Sequence, residues 1–509
     1  MRIVIVGAGL GGLSAACHLS QQGQHGREAH PREAHEITIV ERAMVPGGRA
    51  GLIEDGGYRI DPGPCVLTMT GILSDAFTAA GASIDDYVKI RPVDPMYRAV
   101  FDASDGGGEL RVRHGREQMT EEIRRFAGTS EANNFGRFVD WLTELYNVET
   151  PAFIDRNFDS VLDMARPLSP GLKLLKLGGF AKQHNLVARY FKDPRLQKIF
   201  SFQALYAGLS PFKALGAYAV ITYMDTVAGV YFPEGGMHAV SRGLAAAAEN
   251  AGVEIRYGES VERILRTSGG HGPVRGVRLE SGEVINADAV VVNADLPVAY
   301  SALLPELEAP RVARRGEYSP SCVLWLAGVK GAMPTGVEHH NIHFGGQWKE
   351  AFRALLEDGK RMPDPSLLIT VPTLSDPDLA PPQRHILYVL EPTPHLGGRI
   401  NWDLERQSIV ESLRQRVASL GYPAGIDDVE VTHTLDPNDW ERQGMAMGTP
   451  FALSHRFFQT GPFRPNNIDN RVPGLVFVGS STVPGVGVPM VLLSGRLAAE
   501  RVAHLTATS

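Results

Sequence analysis

Gly7, Gly9 and Gly12 stand at G-x-G-x-x-G spacing immediately after the apolar run Ile3, Val4, Ile5, Val6. In that context each glycine has a physical task. Gly7 permits a tight turn, Gly9 lets the backbone approach a pyrophosphate, and Gly12 lets the following helix pack closely on the strand. The free N–H groups and the positive dipole end of that helix then face the phosphates. Glu41 closes the second apolar run, where a carboxylate accepts hydrogen bonds from a ribose diol and disfavours a 2′-phosphate. It lies 29 residues beyond Gly12, and the His-rich stretch 21–35 accounts for the excess over the usual spacing. Arg42, Gly47-Gly48-Arg49-Ala50-Gly51 and Asp61-Pro62-Gly63-Pro64 follow. Adjacent glycines with a guanidinium supply close backbone approach and a cation beside a diphosphate.

These residues need a strand, a turn and a helix to hold them. A strand is predicted over 2–6, a helix through about Gln22 and a second strand over 36–41. Between them the tandem Arg27-Glu28-Ala29-His30 and Arg32-Glu33-Ala34-His35 around Pro31 reads as a duplicated surface loop. From about Arg91 to Asp225 the pattern is mostly helical, and strand-like runs return at 253–265, 274–279 and 289–292. A mixed region leads to about residue 464, and a last strand-turn-helix spans 475–502. The expected class is α/β, with one Rossmann-type cofactor domain assembled from separated segments and an α+β domain inserted into it.

Composition narrows the partners. At 509 residues the chain is too long for one simple core. Its net charge of −7 gives no reason to expect nucleic acid. Cys17, Cys65 and Cys322 are far apart without a C-x-x-C pair, so neither a disulfide framework nor a metal site is expected. The first apolar run is too short for a secretory leader, and no stretch reaches the ~18 apolar residues of a spanning helix. No second strand-GxGxxG-helix unit occurs, so a dedicated nicotinamide domain is not expected. A reducing, cytoplasmic setting follows.

Several further segments carry a family likeness: Tyr231-Phe232-Pro233-Glu234-Gly235-Gly236-Met237, Val253 to Val261, Ala287 to Asp295, and Val478-Gly479-Ser480-Ser481-Thr482-Val483-Pro484-Gly485-Val486-Gly487-Val488-Pro489. With the N-terminal motifs they resemble the FAD oxidoreductases that include amine oxidases and protoporphyrinogen oxidase. Within that group they resemble the bacterial-type phytoene desaturases. The resemblance implies non-covalent FAD and a carotenoid desaturase dehydrogenating phytoene or a related polyene. It implies an FAD-binding domain over 1–90, 226–300 and 465–509, and a substrate and membrane-associating domain over 91–225 and 301–464. The implied cofactor contacts are Gly7, Gly9, Gly12, Glu41, Arg42, Gly48, Arg49, Val261, Gly479, Ser480, Thr482, Val488 and Met490. Many relatives carry histidine where Val483 stands, and many oxidases an acid near Ser480 or Ser481. No catalytic side chain is therefore assigned, and serine hydroxyls are the expected partners of the ribityl chain.

Residues 166–198 hold eight basic residues (166, 173, 176, 182, 189, 192, 195 and 198) against one acid, Asp193, with Leu172, Leu174, Leu175, Leu177 and Phe180 interleaved. Such a stretch either lies on an anionic bilayer or forms a solvated face over the core. The resemblance favours a peripheral position on the inner face of the membrane, with a hydrophobic polyene as substrate and a quinone or oxygen as electron acceptor. Other chemistries on this scaffold are another FAD-dependent oxidase, a carotenoid ketolase, an isomerase or a saturase. A prenyl-protein chaperone-like binding protein is the reading from a different class.

Overall fold

The computed structural model describes residues 1–29, 35–164, 168–267 and 272–507. Five strands form a parallel sheet in the order Leu475–Phe477, Ala289–Val292, Arg2–Val6, Glu36–Glu41, Glu254–Tyr257. In the first of these by sequence, Ile3 and Ile5 face one side and Val4 the other, as strand alternation requires. Ile3 and Ile5 join the helices Leu10–Ala29, His238–Asn250 and Val488–Ala507 in one core cluster. Val4, Val290 and Val292 pack instead with Ile264, Val277 and Leu279 of the antiparallel ribbon 261–286. Burial on both faces explains why these strands read as unbroken apolar runs.

The second layer is a seven-stranded sheet ordered Val429–Leu435, Ser321–Lys330, Arg384–Thr393, Leu367–Thr370, His340–Phe344, Tyr97–Phe101, Glu109–Val112. On one face Val323, Trp325, Leu387 and Val389 pack against Trp402, Ile409, Leu413 and Val417 of the helix Trp402–Ser419. On the other face Cys322, Leu324 and Tyr388 look toward the helical region that begins at Arg116. That second face is one wall of the site.

Two local expectations change. The first helix runs from Leu10 to Ala29 rather than ending near Gln22. Its polar extension contains helix-compatible Gln, Arg, Glu and Ala and meets no proline before Pro31. The first copy of the tandem thus starts in helix, and residues 30–34, which hold the end of the first copy and most of the second, lie outside the described residues. The segment after Arg91 also opens with strands, Tyr97–Phe101 and Glu109–Val112, because its alternating residues complete the edge of the larger sheet.

Candidate active site

The glycine turn is built around one side chain that arrives from far along the chain. The carboxamide oxygen of Asn293 accepts from the N–H groups of Gly9 at 3.3 Å and Gly12 at 3.2 Å. A Cβ on Gly9 would lie 2.8 Å from a terminal atom of that carboxamide, and one on Gly12 would lie 2.2 Å from the Gly7 carbonyl oxygen. Gly12 therefore excludes a side chain before any ligand is considered, and a side chain at Gly9 would have to displace the Asn293 carboxamide. Gly9 also bridges to Gly47, which brings the second glycine pair over the first.

Glu41 is buried beside this turn, its Oε2 accepting from Ala8 N at 2.7 Å and its Oε1 from Ala43 N at 2.8 Å. Each oxygen keeps a further lone pair for a hydroxyl donor. Arg42 donates to the Gln443 carbonyl at 2.6 Å. Arg49 donates to Ser480 Oγ and lies 3.7 Å from the buried carboxylate of Asp295. Asp295 in turn accepts from Ser481 Oγ and from Ala446 N at 2.8 Å. One carboxylate thus ties together the Gly47–Arg49 loop, the C-terminal loop and residue 446.

The C-terminal loop has a second anchor in Arg464, a buried cation whose guanidinium donates to backbone carbonyl oxygens. These include Ser480 O at 2.5 Å, Thr482 O at 2.9 Å and Leu453 O at 3.3 Å. Burial pulls its pKa down to about 10, so it stays charged at neutral pH. Gly479 N donates to Ser494 Oγ at 3.1 Å, and the Thr482 hydroxyl turns toward Gly479 O at 3.2 Å. The helix Val488–Ala507 then starts with Val488 and Met490 at the cavity wall.

All these pieces border one cavity of about 1150 Å³, larger than the ~300–1,000 Å³ of ordinary small-ligand sites. Of the thirteen residues expected to contact a cofactor, all but Gly12 and Thr482 line it. Gly12 packs the helix on its strand, and Thr482 holds the loop from behind. Val261 lies near Glu41, whose carbonyl accepts from Glu259 N at 3.0 Å. Beyond the glycine turn the cavity continues between Leu324, Ile342, Leu368 and Leu390 of the large sheet and Leu205, Val220, Ile221 and Met224 of the helical region. Two acids share this apolar part, Glu149 and Asp225, both buried.

Sequence reasoning assigned no role to Asn293 or Asp295, although both directly follow the strand Ala289–Val292. Polar residues beyond the carboxyl ends of parallel strands are where an open α/β sheet binds ligands, and that signal was available. Arg464, Glu149 and Asp225 carry no such local mark.

A glycine turn closed by an acid, facing a second glycine pair and a helix N-terminus, defines a dinucleotide-binding oxidoreductase of the flavoprotein class. The opposed backbones of Gly9 and Gly48, with Glu41 at the strand end, fit the adenosine diphosphate half of FAD. Residues 10–503 match the flavin containing amine oxidoreductase family, and the chain belongs to it. It is 44% identical to a phytoene dehydrogenase of Streptomyces griseus, over 98% of this chain and 94% of that protein. It is 36% identical to a zeta-carotene-forming phytoene desaturase of Myxococcus xanthus, over 98% and 93%. An oxidoreductase from Methanosarcina mazei shares the fold at TM-score 0.63 and 16% identity, covering 99% of this chain and 100% of that one. The cofactor is FAD.

The basic segment is divided by the fold. Lys198 is buried, paired with Asp105 at 2.5 Å and donating to Gly345 O at 2.9 Å. Arg195 pairs with Asp193 at 2.6 Å and lies over the Phe126 ring. Both serve the interior, and Arg166 lies outside the described residues. Lys173, Lys176, Lys182, Arg189 and Lys192 remain at the surface.

Proposed function

We propose that this protein is an FAD-dependent carotenoid desaturase that dehydrogenates phytoene or a related polyene. The observation that carries the reading is one continuous cavity joining the glycine turn to a long apolar space. FAD, when bound, supplies the hydride acceptor for an allylic C–H bond. Gly7, Gly9, Gly48 and the N-terminus of the first helix would hold its diphosphate, and Glu41 its ribose. Arg49, Gly479, Ser480, Val488 and Met490 would border the rest, with Arg42 and Val261 toward the adenosine end. Asp295 and Arg464 fix the loops that carry these contacts. Segments 1–90, 226–300 and 465–509 then act as the FAD-binding domain, and 91–225 with 301–464 as the substrate domain.

The substrate is apolar, and a surface patch supports its delivery from lipid. Among the described residues, no helix is long and apolar enough to cross a membrane. Leu172 and Leu175 are nevertheless more than half exposed on the helix Leu168–Lys176, beside exposed Lys173 and Lys176. Phe180 reaches Phe457 at 6.3 Å between ring centroids, and Phe457 contacts exposed Phe458. Leu174, Phe180, Phe457 and Pro462 of this patch also line the cavity. An apolar rim flanked by lysines suits the inner face of an anionic membrane. A quinone or oxygen would reoxidise the flavin.

The test mixes oxidised holoenzyme with phytoene in liposomes without oxygen. Loss of flavin colour with a more conjugated polyene is expected. An unchanged flavin that NADPH bleaches rapidly would overturn the reading in favour of a reductase.

A further inference from the structure

The helix Ala219–Thr226 runs along the substrate part of the cavity, with Val220, Ile221, Met224 and Asp225 in its wall. Asp225 stands in the last turn, where the helix dipole disfavours a negative charge. It is buried, and among the described residues no cation offsets that cost. What it has is one oriented donor: Gln203 Nε2 gives a hydrogen bond to Asp225 Oδ2 at 3.0 Å. The Gln203 amide is itself fixed, donating to Ile199 O at 3.0 Å and accepting from Thr222 Oγ1 at 3.4 Å. Asp225 Oδ1 has no protein hydrogen bond among the described residues.

Resting on the desaturase reading, we propose that Asp225 is the proton acceptor of the dehydrogenation, held by Gln203 with one carboxylate oxygen open to the substrate. One C–H bond of the saturated pair breaks with its electrons, which pass as hydride to the flavin. The neighbouring C–H bond gives its proton to the Asp225 carboxylate, and its electron pair becomes the new carbon–carbon double bond. Substrate loses two electrons, flavin gains two, and Asp225 returns its proton to solvent before the next cycle. A carboxylate in this apolar space also stabilises the allylic cation character that develops as hydride leaves.

Glu149, the other buried acid, does not fit that task. Among the described residues its Oε1 has no partner, and burial alone pushes its carboxyl well above the ordinary range, toward the neutral form. Burial raises Asp225 only to about 6, because the Gln203 donor opposes it. The titratable groups facing Asp225 are Tyr97 and Tyr206, with Cys65 beside Tyr206. On the neighbouring helix Thr129–Glu149, Tyr146 stacks on Tyr223, and Glu149 faces Tyr218. Burial also raises Asp61 to about 6 while it accepts from Met237 N and His238 N, so loss of the pH dependence in Asp225→Asn is what assigns that window to Asp225.

The experiment is anaerobic single turnover of holoenzyme with phytoene in phosphatidylglycerol vesicles, following flavin bleaching from pH 5 to 8. In the native enzyme the rate should rise through about pH 6 and then level. Asp225→Asn should keep its flavin and its phytoene-induced spectral shift while bleaching about a hundredfold or more slower. Asp225→Glu should recover part of the rate. Native-rate bleaching in Asp225→Asn would overturn the assignment. Should that variant lose its flavin, a native rate flat across the pH range would overturn it equally. A native enzyme that never bleaches with phytoene defeats the desaturase reading itself, and this assignment with it.

Discussion

The hydroxyl of Ser481 donates to the carboxylate of Asp295, a residue 186 positions earlier in the chain. Because Arg49 and Ala446 N share that carboxylate, the loops around the proposed flavin site are held in common. Removing the charge should loosen all of them together. Hydrogen bonds to a charged group are worth ~1.5–3 kcal/mol, about one to two decades in affinity. Asp295→Asn should therefore raise the FAD dissociation constant by about ten- to a hundredfold, measured by recovery of free-flavin fluorescence. Ser480→Ala and Ser481→Ala should shift the same constant in the same direction and affect the chemical step less. Unchanged flavin affinity in Asp295→Asn would remove it from the site.

Gly9→Val puts a branched side chain against both the Asn293 carboxamide and the space assigned to the pyrophosphate. The variant should purify colourless, with far-ultraviolet circular dichroism close to native. Full flavin occupancy would show that the diphosphate binds elsewhere.

Charge reversal at the apolar rim, Lys173→Glu with Lys176→Glu, should weaken sedimentation with anionic vesicles and leave flavin content intact. Each basic group near such a surface is worth ~1 kcal/mol, so a double reversal is readily visible. Leu172→Ser with Leu175→Ser should weaken binding to neutral vesicles as well. If neither pair alters sedimentation, this helix is an ordinary solvated face.

Glu149 makes a pH prediction whose sign is set by burial. Its carboxyl is raised well above the ordinary value in the folded protein. The unfolded chain therefore releases this proton at lower pH than the folded one, and stability falls as pH rises above about 4.3. Glu149→Gln keeps the neutral shape and removes that loss. Relative to native holoenzyme, its stability should grow as pH rises from 5 toward 7. Thermal melts at the two pH values check this, and an equal difference at both would mean that Glu149 titrates normally.

Most of the dinucleotide half was legible in the residues alone. The Gly7–Gly12 turn, the strand before it and Glu41 are set by contacts among near neighbours in the chain, where backbone sterics dictate residue type. The strands Ala289–Val292 and Leu475–Phe477 were visible for a related reason, since burial on both faces forces an unbroken apolar run. What only the tertiary structure decided depends on distance in space. Asn293 over the turn, Asp295 between loops and Arg464 behind the C-terminal loop each act on residues that no local spacing connects to them. The basic segment makes the same point in reverse. Its lysines look alike in sequence, yet packing turned Lys198 inward to Asp105 and left Lys173 and Lys176 outside. Asp225 was hidden for the most basic reason: an acid inside an apolar helix reads as an interruption until folding places a cavity in front of it.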